Sequence, residues 1–322
     1  MRKGSSPTGM QRWVIILGGL LVLLNAELGA RTLNGFSLDG ALVPSREIRS
    51  GGPQRDGIPA IDHPEFVAVA QVGYLDDDDR VLGIDFEGAV RAYPVDILNW
   101  HEIVNDRVGD VGVLVTYCPL CGSGMVFRVD ADARFGVSGL LYNSDMLLYD
   151  RATESLWSQI MGQAIAGPSK GRRLDPIPVR HTRWKSWRET HPTTRVLSPR
   201  TGFPMSYGRY PYGDYERSRN LSFPVGERNN RYHPKEWVIG MAEGALVRAY
   251  PLSELTQIES PLRDRIGDRE FLVHFDAEDR GGWIEEVTST GVVEVPSVRA
   301  FWFAWYAFHP DGEVYQVEPS GP

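Results

Sequence analysis

Cysteine is almost absent from this chain: Cys118 and Cys121 are the only two among 322 residues. Neither lies near the N-terminus, so no thiol is offered there for a lipid anchor. Clustered positive charge is missing too. With a formal net charge of −8 and no basic patch, the chain lacks the surface that nucleic-acid phosphates require. No G-x-S-x-G elbow exists, and "GSG" at 122–124 has the wrong spacing, so a serine triad finds no support. The acidic run "DDDDR" at 76–80 lacks the alternating ligands and turn glycine of a calcium loop and reads as a solvated loop. The apolar run "WVIILGGLLVLL" has twelve residues, short of the roughly 20 that a spanning helix needs.

That run belongs to an informative N-terminus. Arg2, Lys3 and Arg12 precede it with no acid among them, and the small residues Ala26 and Ala30 follow. This is the three-part layout of an export signal, either cleaved or kept as an anchor. The body of the protein is therefore expected outside the cytoplasm, periplasmic or extracellular, touching the membrane only through its N-terminal segment. That compartment permits disulfides. Composition favours a β-rich or mixed architecture over a helical bundle, with Gly 34, Pro 22, nine Trp and thirteen Tyr.

The chain also resembles itself. "VLGIDFEGAVRAYP" at 81–94 matches "VIGMAEGALVRAYP" at 238–251, "DRVGD" at 106–110 matches "DRIGD" at 264–268, and an apolar run follows each. Each copy predicts a hairpin turning near Gly88 or Gly244, a helix opened by Pro94 or Pro251, a Gly-Asp turn and a buried strand. The expected fold class is accordingly α+β and β-rich: two related β-β-α-β units, 81–117 and 238–275, joined by a strand-rich middle section into one compact domain.

Features found in one copy only mark where chemistry is to be sought. The first copy alone carries His101 and Glu102 on its helix, and Cys118-Pro119-Leu120-Cys121 at the end of its strand. Three readings of the cysteines stay open. They form a disulfide, which closes too small a loop to stabilise much. They exchange disulfides as a dithiol, although the glycines after Cys121 make a poor helix start for lowering a thiol pKa. Or they bind a metal ion, with His101 as third ligand, Met125 as a soft fourth and Glu102 as a supporting base. Thioether beside thiolate favours copper(I), and imidazole beside thiolate favours zinc.

In the middle section, "YNSD" predicts a turn between strands, with "MLLYDR" and "LWSQI" as strands. Asn143, Ser144, Asp145, Trp157, Ser158 and Gln159 read either as turn and edge residues or as a ligand-binding wall facing the cysteine loop. Trp184 and Trp187 fall on a short amphipathic helix flanked by His181 and His191. The segment 203–234, rich in Gly, Pro and Tyr, predicts a long ordered loop able to cover a ligand.

The stretches "WHEIVND", "VTYCPLCGSGMVF", "FGVSGLLYNSDMLLYDR", "ESLWSQ", "WRETHPTTRVLS", "YHPKEWVIG" and "FAWYAFHPDGEVY" resemble an exported prokaryotic family known only as domain of unknown function number three thousand one hundred and seventy-nine. The resemblance implies one family-wide domain over 61–322, after a signal or anchor at 1–30 and a linker at 31–60. It implies no reaction. The expected function is extracytoplasmic binding of copper or zinc, with a small molecule or a metal-exchanging protein as partner. A thiol–disulfide oxidoreductase and a small-ligand-binding module are the alternatives.

Overall fold

A computed structural model of the protein describes residues 31–318; the expected export signal at 1–30 lies outside the described residues. The chain builds five small sheets arranged as a five-bladed β-propeller, with 42% of residues in strands and 12% in helices. This corrects the expected α+β class. The longest helices among the described residues, Val95–His101, Trp184–Thr190 and Trp302–Phe308, have only seven residues each and serve as connectors. None is long and apolar enough to cross a membrane.

The expected β-β-α-β unit fails for a specific reason. The segments "IVNDRV" and "LRDRI", expected as the end of the amphipathic helix and the turn after it, are strands Ile103–Val108 and Leu262–Ile266. Each copy is therefore hairpin, short helix, hairpin, and its two hairpins belong to different blades. Strands Arg80–Phe86 and Ala89–Pro94 sit in one sheet, whereas Ile103–Val108 and Val111–Cys118 sit in another. Likewise Trp237–Glu243 and Leu246–Pro251 are separated from Leu262–Ile266 and Arg269–Asp276. The remaining blade is built on the hairpin Phe135–Tyr142 and Asp145–Asp150, extended by Leu156–Ser158 and Gln163–Ala166.

What the two copies share is used for joining blades. Asp106, from "DRVGD", accepts a hydrogen bond from the Tyr93 hydroxyl at 2.6 Å and pairs with Arg91, both from "RAYP". In the second copy Asp264 accepts from Tyr250 at 2.8 Å and pairs with Arg248. Each copy also receives on a strand glycine a tryptophan from a later helix, Trp184–Thr190 or Trp302–Phe308. A methyl group added at Gly83 would lie 2.4 Å from the Trp187 ring, and one at Gly240 would lie 2.1 Å from Trp305. Only glycine permits that approach, and Trp187 and Trp305 are fully buried by it.

Candidate functional site

Strands Val111–Cys118 and Ser123–Val129 pair with Cys118 opposite Ser123, so both cysteines sit in the tip of one hairpin. The Cys121 N–H donates to the Cys118 carbonyl at 3.1 Å and closes the turn. Gly122 follows at φ +62, and a side chain there would lie 2.4 Å from the Trp237 ring, so conformation and space both demand glycine. Phe301 N–H donates to the Cys121 carbonyl and joins the tip to another blade. Cys118 and Cys121 are buried, and their sulfurs are not bonded to each other.

A second hairpin tip meets the first. Asn143 and Ser144 form a two-residue turn with φ of 52 and 64, the left-handed pair that suits a tight hairpin and that Asn tolerates well. Hairpin tips are ordinarily wet. This one is buried, so its polar groups need partners inside the protein. Asn143 Nδ2 donates to the Ala307 carbonyl, Gly226 N–H donates to Asn143 Oδ1, and Ser144 Oγ donates to the Phe223 carbonyl. The Ser144 carbonyl accepts from both thiols, at 3.4 Å from the Cys121 sulfur and 3.8 Å from that of Cys118.

Asp145, next in the chain, is fully buried. Its Oδ2 accepts from Ser158 Oγ and from the Ile160 N–H, while its Oδ1 has no hydrogen-bond partner. A carboxylate oxygen of Asp145 and the two sulfurs all lie within 4.8 Å of one another. These three residues form the one such group of potential metal ligands among the described residues.

Burial governs the charge state here. It pushes the Cys121 thiol well above its ordinary pKa, with Cys118 and Asp145 adding to the effect and Lys235 opposing it. It raises Asp145 to about 7 against the hydrogen bonds that favour the carboxylate. It raises Glu102 to about 8, Asp145 contributing and the Tyr212 hydroxyl easing the shift. Lys235 is lowered to about 8 by burial, with Cys121 pulling the other way. A Cys121 thiol held protonated is a poor nucleophile, so this environment works against disulfide exchange through it.

The segment 203–234 crosses above these groups with the short 3-10 turn Tyr215–Arg217. Lys235 fastens it, donating from Nζ to the carbonyls of Ser218 at 3.0 Å and Asn220 at 2.8 Å, with Nζ 3.9 Å above the Tyr215 ring. The Tyr215 hydroxyl is buried without a partner and lies within electrostatic reach of both sulfurs.

The sequence-predicted residues divide. Cys118, Cys121, Asn143, Ser144, Asp145, Ser158 and Gln159 converge. Gln159 accepts from Ser123 Oγ at 2.6 Å and donates to Thr116 Oγ1 at 3.0 Å, fixing the cysteine hairpin. Trp157, one residue from Ser158 along a strand, faces the other way. Its Nε1 donates to Asp150 at 2.8 Å, and it borders a separate cleft of about 930 Å³ with Arg134, Arg151 and Arg172.

His101 corrects an expectation, because it is not a member of the donor group. Its Nδ1 is 2.7 Å from the Pro59 carbonyl and its Nε2 is 2.7 Å from the Tyr207 hydroxyl, so both ring nitrogens are occupied. The reason is local. The helix ends at His101, and Glu102 caps it in the left-handed conformation at φ 58, which reverses the chain between the two side chains. Met125 lies half-buried against apolar neighbours in a small cleft with Val298 and Trp305. The sequence places Asp145 in a ligand-binding wall facing the cysteine loop, and nothing local marks it as a direct partner of the sulfurs. Lys235, Tyr212 and Tyr215 carry no local signal beyond the run of tyrosines and "YHPKEW".

Comparison with known proteins gives one match: a family model described as protein of unknown function (DUF3179) covers residues 55–312. No curated protein and no solved structure matches the chain.

Proposed function

The chain belongs to the DUF3179 family, and we propose that it binds one zinc ion through the Cys118 and Cys121 sulfurs and the Asp145 carboxylate. One observation carries the reading: two buried hairpin tips bring three ligand-type side chains within 4.8 Å and leave one carboxylate oxygen unpartnered. A buried acceptor without a donor costs about 1–3 kcal/mol, and a cation relieves that cost. Two sulfurs with an oxygen suit zinc, whereas copper(I) prefers soft ligands alone.

Uptake of the ion expels the protons that burial favours on Cys121 and Asp145, so affinity rises with pH. Three protein ligands leave a fourth position, and zinc held that way supplies Lewis acidity. Glu102, raised to about 8 by burial and partly by Asp145, holds its proton at neutral pH and is the proton donor near the centre. The same reading sets the protein outside the cytoplasm, supported by Arg2, Lys3, Arg12 and the apolar run after them.

Elemental analysis tests it. Protein purified with added zinc is expected to carry about one zinc per chain in the wild type and in His101→Ala, since the imidazole is engaged elsewhere. The Cys118→Ser/Cys121→Ser variant should carry almost none. Negligible zinc in the wild type, or equal zinc in the double variant, overturns the assignment.

A further inference from the structure

Beside the thiol centre, a second buried group lacks a partner of opposite charge. Arg299, on strand Val298–Phe301, is 2% exposed, and no carboxylate among the described residues makes an ion pair with it. Its Nη1 donates to the Arg280 carbonyl at 2.7 Å, and its Nε is buried with no acceptor. The guanidinium carbon sits 3.8 Å from the centre of the Trp237 ring. Arg80 reaches the same ring at 5.6 Å but is paired with Glu216 at 2.9 Å. Arg299 thus shares the field of a single carboxylate with another arginine, and burial with the repulsion of Arg80 lowers it to about 9.

Contact with an indole face offsets part of the cost of burying a cation, but it gives the Nε–H nothing to donate to. Two phenols stand close by. Tyr117, immediately before Cys118, lies within electrostatic reach of both Arg299 and Cys118. Tyr210, from the covering segment, has a buried hydroxyl that stands beside the Glu216 carboxylate without a well-formed hydrogen bond, within reach of Tyr117 and Arg80. A positive fork with a free donor, flanked by hydroxyl donors, is the arrangement that recognises an oxyanion.

We propose that Arg299, Tyr117 and Tyr210 form a subsite for a small oxyanion, a phosphate or a carboxylate, sharing the Tyr117 wall with the thiol centre. Binding of the anion does not require a metal. Its role as the group that orients a substrate toward the centre rests on the zinc reading. The substrate class would then be small phosphorylated or carboxylated compounds.

The test uses inorganic phosphate as probe, at constant ionic strength balanced with chloride, and reads the thermal midpoint of the full chain. The wild type is expected to show a saturable rise, and Arg299→Gln a half-saturation concentration at least tenfold higher. Cys118→Ser/Cys121→Ser should keep the wild-type curve, which separates failure of the zinc reading from failure of this one. A non-saturating response in the wild type, or the same curve in Arg299→Gln, overturns the subsite. Where Arg299→Gln does not fold, Tyr210→Phe takes its place, and a curve identical to wild type then overturns it.

Discussion

The Ser144 carbonyl stands 3.4 Å from the Cys121 sulfur, so a backbone oxygen from one blade receives the thiol of another. The contact joins two turns that are each prescribed by their own sequences. Where they touch, the interior holds two thiols and a carboxyl, and burial raises both Cys121 and Asp145 toward their protonated forms, which has measurable consequences.

The thiols should be silent in the native protein. Because both sulfurs are buried and Cys121 titrates well above its usual range, a disulfide reagent at pH 8 is expected to modify them at least about a hundredfold more slowly than in denaturant. Native rates equal to unfolded rates would contradict the burial described.

Glu102 should give stability an inverse dependence on pH. Its carboxyl is raised from 4.5 to about 8 on folding, so the folded state holds the proton more tightly. That contribution is fully present below pH 4.5 and is lost as pH rises toward 8. Glu102→Gln removes the dependence. The difference between variant and wild type in urea unfolding should shift in favour of the variant by up to about 1 kcal/mol per pH unit from pH 5 to 8. The buried histidines shift with the opposite sign but are common to both proteins and cancel in the difference. A difference that is flat with pH would show that Glu102 is ionised throughout.

Gly122→Ala should be severe. It places a side chain at φ +62 and 2.4 Å from Trp237, combining left-handed strain with overpacking. A loss of about 3 kcal/mol is expected from denaturant unfolding. A loss under 1 kcal/mol would mean that the cysteine turn relaxes freely, which its contact with Phe301 argues against.

Asn143 separates two costs in one position. Asn143→Gly keeps the left-handed backbone but strands the Gly226 N–H and the Ala307 carbonyl, with about 2 kcal/mol expected. Asn143→Ala adds backbone strain and should cost about 1 kcal/mol more. Equal losses in the two variants would assign the whole effect to the hydrogen bonds.

Much of this fold was legible locally. The turns at Gly88, Gly244 and Asn143-Ser144, the strands around them and the helix carrying Trp184 and Trp187 follow from short-range patterning. The error was one of grouping. "IVNDRV" carries Asn105, Asp106 and Arg107, which read as the polar end of the helix and its turn, yet Asn105 and Asp106 are buried and satisfied across blades by Phe135 and Tyr93. Polar residues with distant partners look like loops when only their neighbours in the chain are considered. Missing those strands turned four hairpins, eight strands in four blades, into two mixed units.

The candidate site divides in the same way. Residue order alone determined the two turns that carry Cys118, Cys121 and Asp145, because turn geometry depends on φ preferences and hydrogen bonds within a few consecutive residues. Folding in three dimensions decided that Asp145 rather than His101 stands beside the sulfurs. That choice rests on blade packing and on the reversal at Glu102, where the energy lies in contacts between residues far apart in the chain.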